Sequence, residues 1–333
     1  MKPPYIIAEM ACSHEGEAEL AKKIILSAGE AGANAIQFQV FLAKERIVPQ
    51  HHDFNLVSSV ELSQDQWVTL SNFSRKFFPS LDIIACVYER FSVDFCEKMG
   101  VDAYKIHASD LSNPHLLKYV AETGKRIDLS VGCSSLEEIQ SAIEYINYSS
   151  SSEIWLMYGY QNFPTPPEEL HLNYMMKLKH LFELPVCYQD HTDAESDAAF
   201  WLPAAALGLG VDILEKHITH ERSYKGVDHE AALNPEEFKK FVKMARTIYL
   251  AKGCSTPKPF SEEEKKYRTY SRKSIVAGTD LPANIKIEKI HLKYMFTPDL
   301  GLQPSQNEKL LGKLTKHRIK AYQTIFECDV NST

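Results

Sequence analysis

Through Ala251, short apolar or β-branched runs alternate with longer segments whose apolar positions recur at helical spacing. That alternation predicts repeated strand-helix units around a parallel sheet. The predicted strands are Tyr5–Glu9, Ala35–Val40, Asp82–Cys86, Ala103–Ile106, Arg126–Ser130, Ile154–Tyr158, Pro185–Tyr188 and Ile213–Lys216. The helical period covers Ala18–Ala31, Ser63–Phe78, Ser92–Met99, a helix opening at Asn113-Pro114, Ser135–Ile146, Asn173–Phe182, Ala194–Leu207, and a last helix from the Asn234-Pro235-Glu236-Glu237 cap to Ala251. Ser63 and Gln66 have capping-box spacing, and Asn113 is a cap followed by Pro in the first turn. Eight such units match the repeat number and size of a (β/α)8 barrel, the TIM barrel, better than an open doubly wound sheet. No GxGxxG follows the first strand, which weakens a dinucleotide fold further.

The barrel is expected to occupy 1–252. Residues 253–272 are rich in Pro, Ser, Lys and Glu, and the Glu262-Glu263-Glu264-Lys265-Lys266 run reads as a solvated, charged linker. A small β-rich domain is expected over 273–333, with strands at Lys273–Ala277, Ile285–Ile287, Leu292–Met295 and Arg318–Ala321 between Pro, Gly and Asn turns. A module this small needs a partner surface.

Composition removes several functional classes. With 37 Lys and Arg against 44 Asp and Glu, the net charge is −7 and no basic block exists, which argues against a nucleic-acid partner or a polybasic membrane site. No uninterrupted apolar run reaches the roughly 18 residues of a membrane span. Met1-Lys2-Pro3-Pro4 leads straight into the first strand without a signal-peptide core, so a cytosolic protein is expected. The seven cysteines are scattered, with no CxxC pair, and read as reduced thiols mostly packed in the core.

In a barrel of this kind the chemistry collects at the carboxyl ends of the strands. Glu9 ends the first strand, Gln37 and Gln39 lie on the second, Lys105 on the fourth and Ser130 on the fifth. Asp190 and His191 follow the seventh, and Glu215 and His217 lie at the eighth. Polar groups inside apolar runs are costly unless they are paired or reach a polar cavity, and several strands converge on one cavity if the barrel closes. His191 and His217, on neighbouring strands, have the placement to share one divalent cation with Glu9 and solvent. Either alone reads as a satisfied backbone partner; the pair favours the cation. Lys105 fits two readings equally: a ligand for substrate phosphate or carboxylate, or an internal salt bridge to Glu9 or Glu215. His51-His52 reads as a solvated loop pair outside the site.

At these residues the sequence resembles the sialic acid synthase family, the N-acetylneuraminate synthases with their legionaminate and pseudaminate relatives. The resemblance runs through IIAEMACSHEG, ANAIQFQ, YKIHASDLSN, DLSVGCSSLEEI, QNFPTP, VCYQDHT, ILEKHIT and GVDHEAALNPEEF, in that order. SRKSIVAGTDLPANIKI and LGLQPSQNEKLLGK resemble the family's C-terminal antifreeze-like (SAF) domain. The resemblance implies a metal-dependent condensation of phosphoenolpyruvate with the open-chain aldehyde of an N-acyl hexosamine, giving phosphate and a nine-carbon 2-keto acid. It implies a manganese or magnesium ion on His191 and His217, with Glu9 near the metal and its water. Asp228 matches the aspartate that holds the acceptor sugar, while Lys105 and Ser130 match donor ligands. It also implies a domain-swapped homodimer in which the SAF domain of one subunit covers the barrel mouth of the other.

Departures from the family pattern gather in the donor pocket. Gln37 stands where the family has Lys, Ala108 where it has Ser, Gln161 where it has Asn and Gln189 where it has Ser; Phe163 replaces a Tyr near the sugar. Ser109 is one position past the lost hydroxyl. The family's SAF-domain Arg has no counterpart, since Tyr294 or Thr297 aligns there. Charge-assisted bonds are about twice as strong as neutral ones, so these exchanges weaken the case for a dianionic phosphate. Two other readings therefore stand beside the synthase: a metal-dependent aldolase or lyase using a 2-keto acid without phosphate, and a non-catalytic carbohydrate-binding relative.

Overall fold

The computed structural model describes residues 3–331. Eight parallel strands close into a barrel in sequence order: β1 (Tyr5–Glu9), β2 (Ala35–Val40), β3 (Asp82–Val87), β4 (Ala103–Ile106), β5 (Arg126–Ser130), β6 (Ile154–Tyr158), β7 (Val186–Asp190) and β8 (Ile213–His217), with β8 pairing back onto β1. The same unit carries α1 (Ala18–Ala31), α2 (Ala43–Arg46), α3 (Phe54–Ser59), α4 (Gln64–Phe77), α5 (Arg90–Met99), α6 (Pro114–Ala121), α7 (Leu136–Ser149), α8 (Leu172–Phe182), α9 (Ala198–Leu209) and α10 (Pro235–Lys252). This is a TIM barrel.

The helices begin where the sequence supplies caps. Ser63 and Gln66 exchange side-chain and backbone hydrogen bonds at the start of α4, and Ser135 with Glu138 does the same for α7. Asn113 accepts from the Leu116 N–H, with Pro114 at the first helical position of α6. Helix α9 starts at Ala198 rather than Ala194, because Asp193 and Ser196 turn back to accept the N–H groups of Glu195 and Ala198.

Successive side chains along a strand point to opposite faces. One set, including Ile6, Ala8, Ile36, Phe38, Tyr104 and Leu214, packs with the helices in the main core. The other set is a separate cluster: Ile7, Ala35, Ile84, Ala103, Met157, Cys187 and Ile213 form an apolar layer, with Tyr5 and Trp155 packed against it. Two residues further along these same alternating positions come Glu9, Gln37, Lys105, Gln189 and Glu215. The alternation that seals the lower barrel thus delivers polar groups at the carboxyl ends of the strands.

At the apolar end the Arg126 guanidinium lies 3.8 Å over the Trp155 ring and 5.1 Å over Tyr5. It bonds the fully buried Asp128 at 2.8 and 3.1 Å, and Tyr5 donates to Asp82 at 2.5 Å. Removing one partner of a buried pair strands the other charge, at about 3–5 kcal/mol. Arg126→Met is expected to lose stability of that order, read by urea unfolding, while ligand affinity at the opposite end stays unchanged.

The chain divides into two compact units after Gly253. The second holds α11 (Glu262–Tyr270) and an antiparallel pair, β9 (Lys273–Ala277) and β10 (Leu292–Phe296). Its own core includes Ile275, Leu281, Ile287, Leu310, Ile319 and Ile325. The segments at Ile285–Ile287 and Arg318–Ala321, expected as strands, contribute only the isolated bridges Lys286 to Leu314 and Leu281 to Ile319. The expected linker also needs correction: its acidic run is the first turn of α11, capped reciprocally by Ser261 and Glu264. Of the seven cysteines, four are buried, while Cys133, Cys254 and Cys328 are exposed. No helix among the described residues is long and apolar enough to cross a membrane.

Candidate active site

A cavity of about 240 Å³ opens at the carboxyl end of the barrel. Glu9, Gln37, Gln39, Lys105, Gln161, Phe163, Gln189, His191, His217 and Asp228, all singled out from sequence, line it together. Ser130 lies just behind, donating to Gln189 at 3.3 Å. Ser109 is the exception. It sits exposed on a short turn after β4, where its hydroxyl meets His107 Nδ1 at 2.9 Å and Asp110 at 3.3 Å, and it does not line the cavity. The turn engages the hydroxyl locally, which sequence spacing cannot show. Asp190 lies between two cavity residues and therefore on the opposite face, where it bonds Lys216 at 2.8 Å and Tyr188 at 2.9 Å. Its role is structural.

Lys105 Nζ bonds both oxygens of Glu215, at 2.6 and 2.8 Å, and lies 3.8 Å from Glu9 Oε2. Burial alone disfavours the ammonium, but Glu215 and Glu9 outweigh it and hold Lys105 protonated. Lys105 is therefore ion-paired, as one of its two readings expected, and it also lines the cavity. Burial, with Glu215 adding to it against Lys105, pushes the Glu9 carboxyl up to about 8. Glu9 Oε1 is fixed by the Ala11 N–H at 2.7 Å and Gln39 Nε2 at 3.3 Å, and Tyr88 donates to Gln39 at 3.1 Å.

The two imidazoles meet edge to face, ring centroids 5.1 Å apart, with Phe163 at 4.2 Å from His191 and 5.8 Å from His217. His191 Nδ1–H donates to the Tyr160 carbonyl at 2.7 Å, which leaves Nε2 as its lone-pair nitrogen; Gln189 Nε2 lies 3.1 Å from it. Gly159 permits this arrangement, because a Cβ there meets the Gln189 carbonyl oxygen at 2.3 Å. Burial lowers His191 to about 4 and His217 well below the usual histidine range, so both are neutral. His217 Nδ1, Glu9 Oε2, Gln161 Nε2 and both amide atoms of Gln37 are buried without a hydrogen-bond partner. Buried polar atoms in native proteins are paired, so this group is shaped for a polar ligand.

Neutral imidazole is the form that ligates a divalent cation: His217 Nδ1 has no partner, whereas His191 Nε2 would take a cation in exchange for the Gln189 amide. The donor set fits. Among the described residues, the group with three potential ligands whose donor atoms all lie within 4.8 Å of one another is His51, His52 and Asp53; the two histidines are exposed, and none of the three lines the cavity.

Asp228 stands in left-handed backbone, φ 63°, which Asp tolerates better than most residues. Burial, reinforced by Glu230 and opposed by Arg46, raises its carboxyl to about 6. The ionised form is the better hydrogen-bond acceptor, and it is lost as pH falls through 6. Acceptor kcat/KM is therefore expected to fall below about pH 6 with a one-proton slope, and Asp228→Asn to remove that limb; a limb unchanged in the variant assigns it elsewhere.

Sequence reasoning missed Arg46, Tyr88, His107, Cys12 and Cys86 as lining residues, along with Leu56 and Val57 from α3 and Val60 and Val227 from the loops. Cys86 carried the one readable signal, since it shares strand parity with Ile84.

The comparisons with known proteins agree with this geometry. An uncharacterized protein of Methanocaldococcus jannaschii, MJ1065, is 31% identical over 320 residues, covering 95% of this chain and 91% of its own. The N,N'-diacetyllegionaminic acid synthase of Campylobacter jejuni is 30% identical over 343 residues, covering 98% of this chain and all of the synthase. A crystal structure of N-acetylneuraminic acid (sialic acid) synthetase from Leptospira borgpetersenii, in complex with citrate, matches with a TM-score of 0.72 at 29% identity, covering 80% of this chain and 92% of that one. The NeuB family model matches residues 24–256, more than half of the chain. By this match, and by a barrel that gathers its polar strand ends into one cavity, the chain belongs to the NeuB family.

Proposed function

We propose that the chain is a nonulosonic-acid synthase, joining C3 of phosphoenolpyruvate to the aldehyde carbon of an open-chain, N-acetylmannosamine-like hexosamine. The observation that carries this reading is the convergence of Glu9, Lys105, His191, His217 and Asp228 on one cavity whose buried polar atoms lack partners. Lys105, kept charged by Glu215, orients an anionic group of the donor. The amides of Gln37, Gln161 and Gln189, with Ser130 behind them, hydrogen-bond its carboxylate or phosphate oxygens. Asp228 holds acceptor hydroxyls, and Phe163 shapes that side. Glu9, with Oε1 already fixed and Oε2 unpartnered, in its ionised form takes a proton from the water that adds to C2 before phosphate leaves, and burial makes that carboxylate a stronger base. A manganese or magnesium ion on His191 and His217 would polarise the aldehyde oxygen as a Lewis acid.

The reading is tested by phosphate release with mass-spectrometric product detection, from phosphoenolpyruvate plus N-acyl hexosamines, with and without manganese. Metal-dependent phosphate release with a new 2-keto acid is expected. The amide-rich donor side favours one rival, an aldolase or lyase using a non-phosphorylated 2-keto acid. Carbonyl products without phosphate, from folded and metal-loaded protein, establish that rival and remove the synthase.

The resemblance also supports a homodimer. Tyr294, Met295 and Phe296 on β10 are apolar and exposed, surface that a second copy would cover. Light scattering giving a monomer at micromolar concentration counts against it.

A further inference from the structure

Lys105 and Arg46 are the only Lys or Arg side chains among the described residues lining the cavity, and they differ in one respect. Lys105 is neutralised by Glu215 at 2.6 Å. Arg46, at the end of α2 in the loop after β2, has a side chain with no ion pair and no hydrogen bond among the described residues; only its backbone N–H is used, on the Leu42 carbonyl. Its guanidinium carbon lies over Tyr88, 3.8 Å from the ring centroid, and 4.5 Å from that of Phe41. Tyr88 is in turn fixed by its hydrogen bond to Gln39, and Phe41 is buried beside it. The two rings thus hold the guanidinium in place without using its N–H donors.

The charge of Arg46 acts on five groups that line the cavity: Cys12, Cys86, Tyr88, His107 and Asp228. A guanidinium partly shielded from water with its donors unspent is half of an ion pair. Gln37, which lines the same cavity, presents both amide atoms without partners from a side chain that is 1% exposed, on the strand that leads into the Arg46 loop. Gln37 supplies hydrogen bonds but no charge where the resembling family has Lys.

We propose that Arg46 is the oxyanion anchor of this cavity: its stacked guanidinium binds a carboxylate or phosphate of the substrate, supplying from the β2 loop the cation that Gln37 lacks. The proposal rests on the synthase reading for the identity of the substrates, but oxyanion binding is measurable without turnover. Two sources share this chemistry, the donor's carboxylate or phosphate and an anionic group on the acceptor.

The test compares wild type, Arg46→Lys and Arg46→Met by calorimetric titration with phosphoenolpyruvate, pyruvate and inorganic phosphate, in the presence of manganese. Circular dichroism and melting temperature confirm the fold. Arg46→Met is expected to weaken phosphoenolpyruvate binding roughly 10- to 100-fold, the usual loss for a charge-assisted bond, with Arg46→Lys in between. In steady state, a raised donor KM with acceptor KM unchanged assigns the anion to the donor. The reverse, seen only with phosphorylated or acidic sugars, assigns it to the acceptor; either supports the anchor. Unchanged affinities and unchanged KM for both substrates in folded Arg46→Met overturn it, as does a wild type that binds none of the three anions. Anion binding that depends on Arg46 in a protein that releases no phosphate leaves the anchor standing and removes only the synthase.

Discussion

Replacing Lys105 by Met is expected to abolish turnover and to lower folding stability by about 3–5 kcal/mol, the cost of leaving a buried charge without its partner. Lys105 and Glu215 are 2% and 0% exposed, and their bonds of 2.6 and 2.8 Å cross the barrel interior from β4 to β8. Without the ammonium, Glu215 and the nearby Glu9 face each other in a medium that already raises both carboxyls by desolvation. Protonation relieves that charge, so the penalty grows with pH and shrinks in acid. The double variant Lys105→Met with Glu215→Gln is expected to recover most of the stability and none of the activity. Urea unfolding at several pH values, beside phosphate release, separates the two roles. A single variant as stable as wild type across that range shows that the pair is solvated and the cavity wetter than its geometry implies.

His217→Ala is expected to remove metal-dependent turnover and, with it, stabilisation by metal. A ligand at a hundredfold excess over its Kd raises stability by about 2.7 kcal/mol. Wild type is expected to show such a gain on adding manganese, reversed by a chelator, while His217→Ala shows none. The variant forfeits no hydrogen bond at Nδ1, which has no partner in the structure, so its fold without metal is expected to survive. Equal manganese stabilisation in variant and wild type places the cation elsewhere, with His51, His52 and Asp53 the next group to replace.

Much of this architecture is written into the strands. Four of them, β1, β2, β4 and β8, run from apolar to polar along a single parity, so Ile7 then Glu9, Ala35 then Gln37, Ala103 then Lys105, and Ile213, Glu215, His217 announce both a closed interior and its reactive end. Caps such as Ser63 with Gln66 mark helix starts by chemistry that is local and therefore legible. What could not be read lies where no period exists. Helices α2 and α3 have four and six residues, too short for an apolar stripe, and Arg46 and Val57 reach the cavity from them. Ser109 failed because a turn bond is decided by backbone path, not by spacing. Helix α11 is legible in its Ser261 and Glu264 cap, a local signal that prevails over the charged composition of the segment.

The Arg126, Trp155 and Tyr5 stack, with the apolar layer above it, gives the barrel a floor. A well with one opening imposes a queue. On the proposed assignments the donor belongs with Lys105 and Ser130 on the strands, while the acceptor meets Asp228 in a loop near the rim. Whatever sits lower has to enter first and leave last. Initial-rate patterns should then show compulsory order, with the donor leading, and an excess of sugar should act as a stopper, slowing the enzyme by closing the shaft before its first occupant arrives.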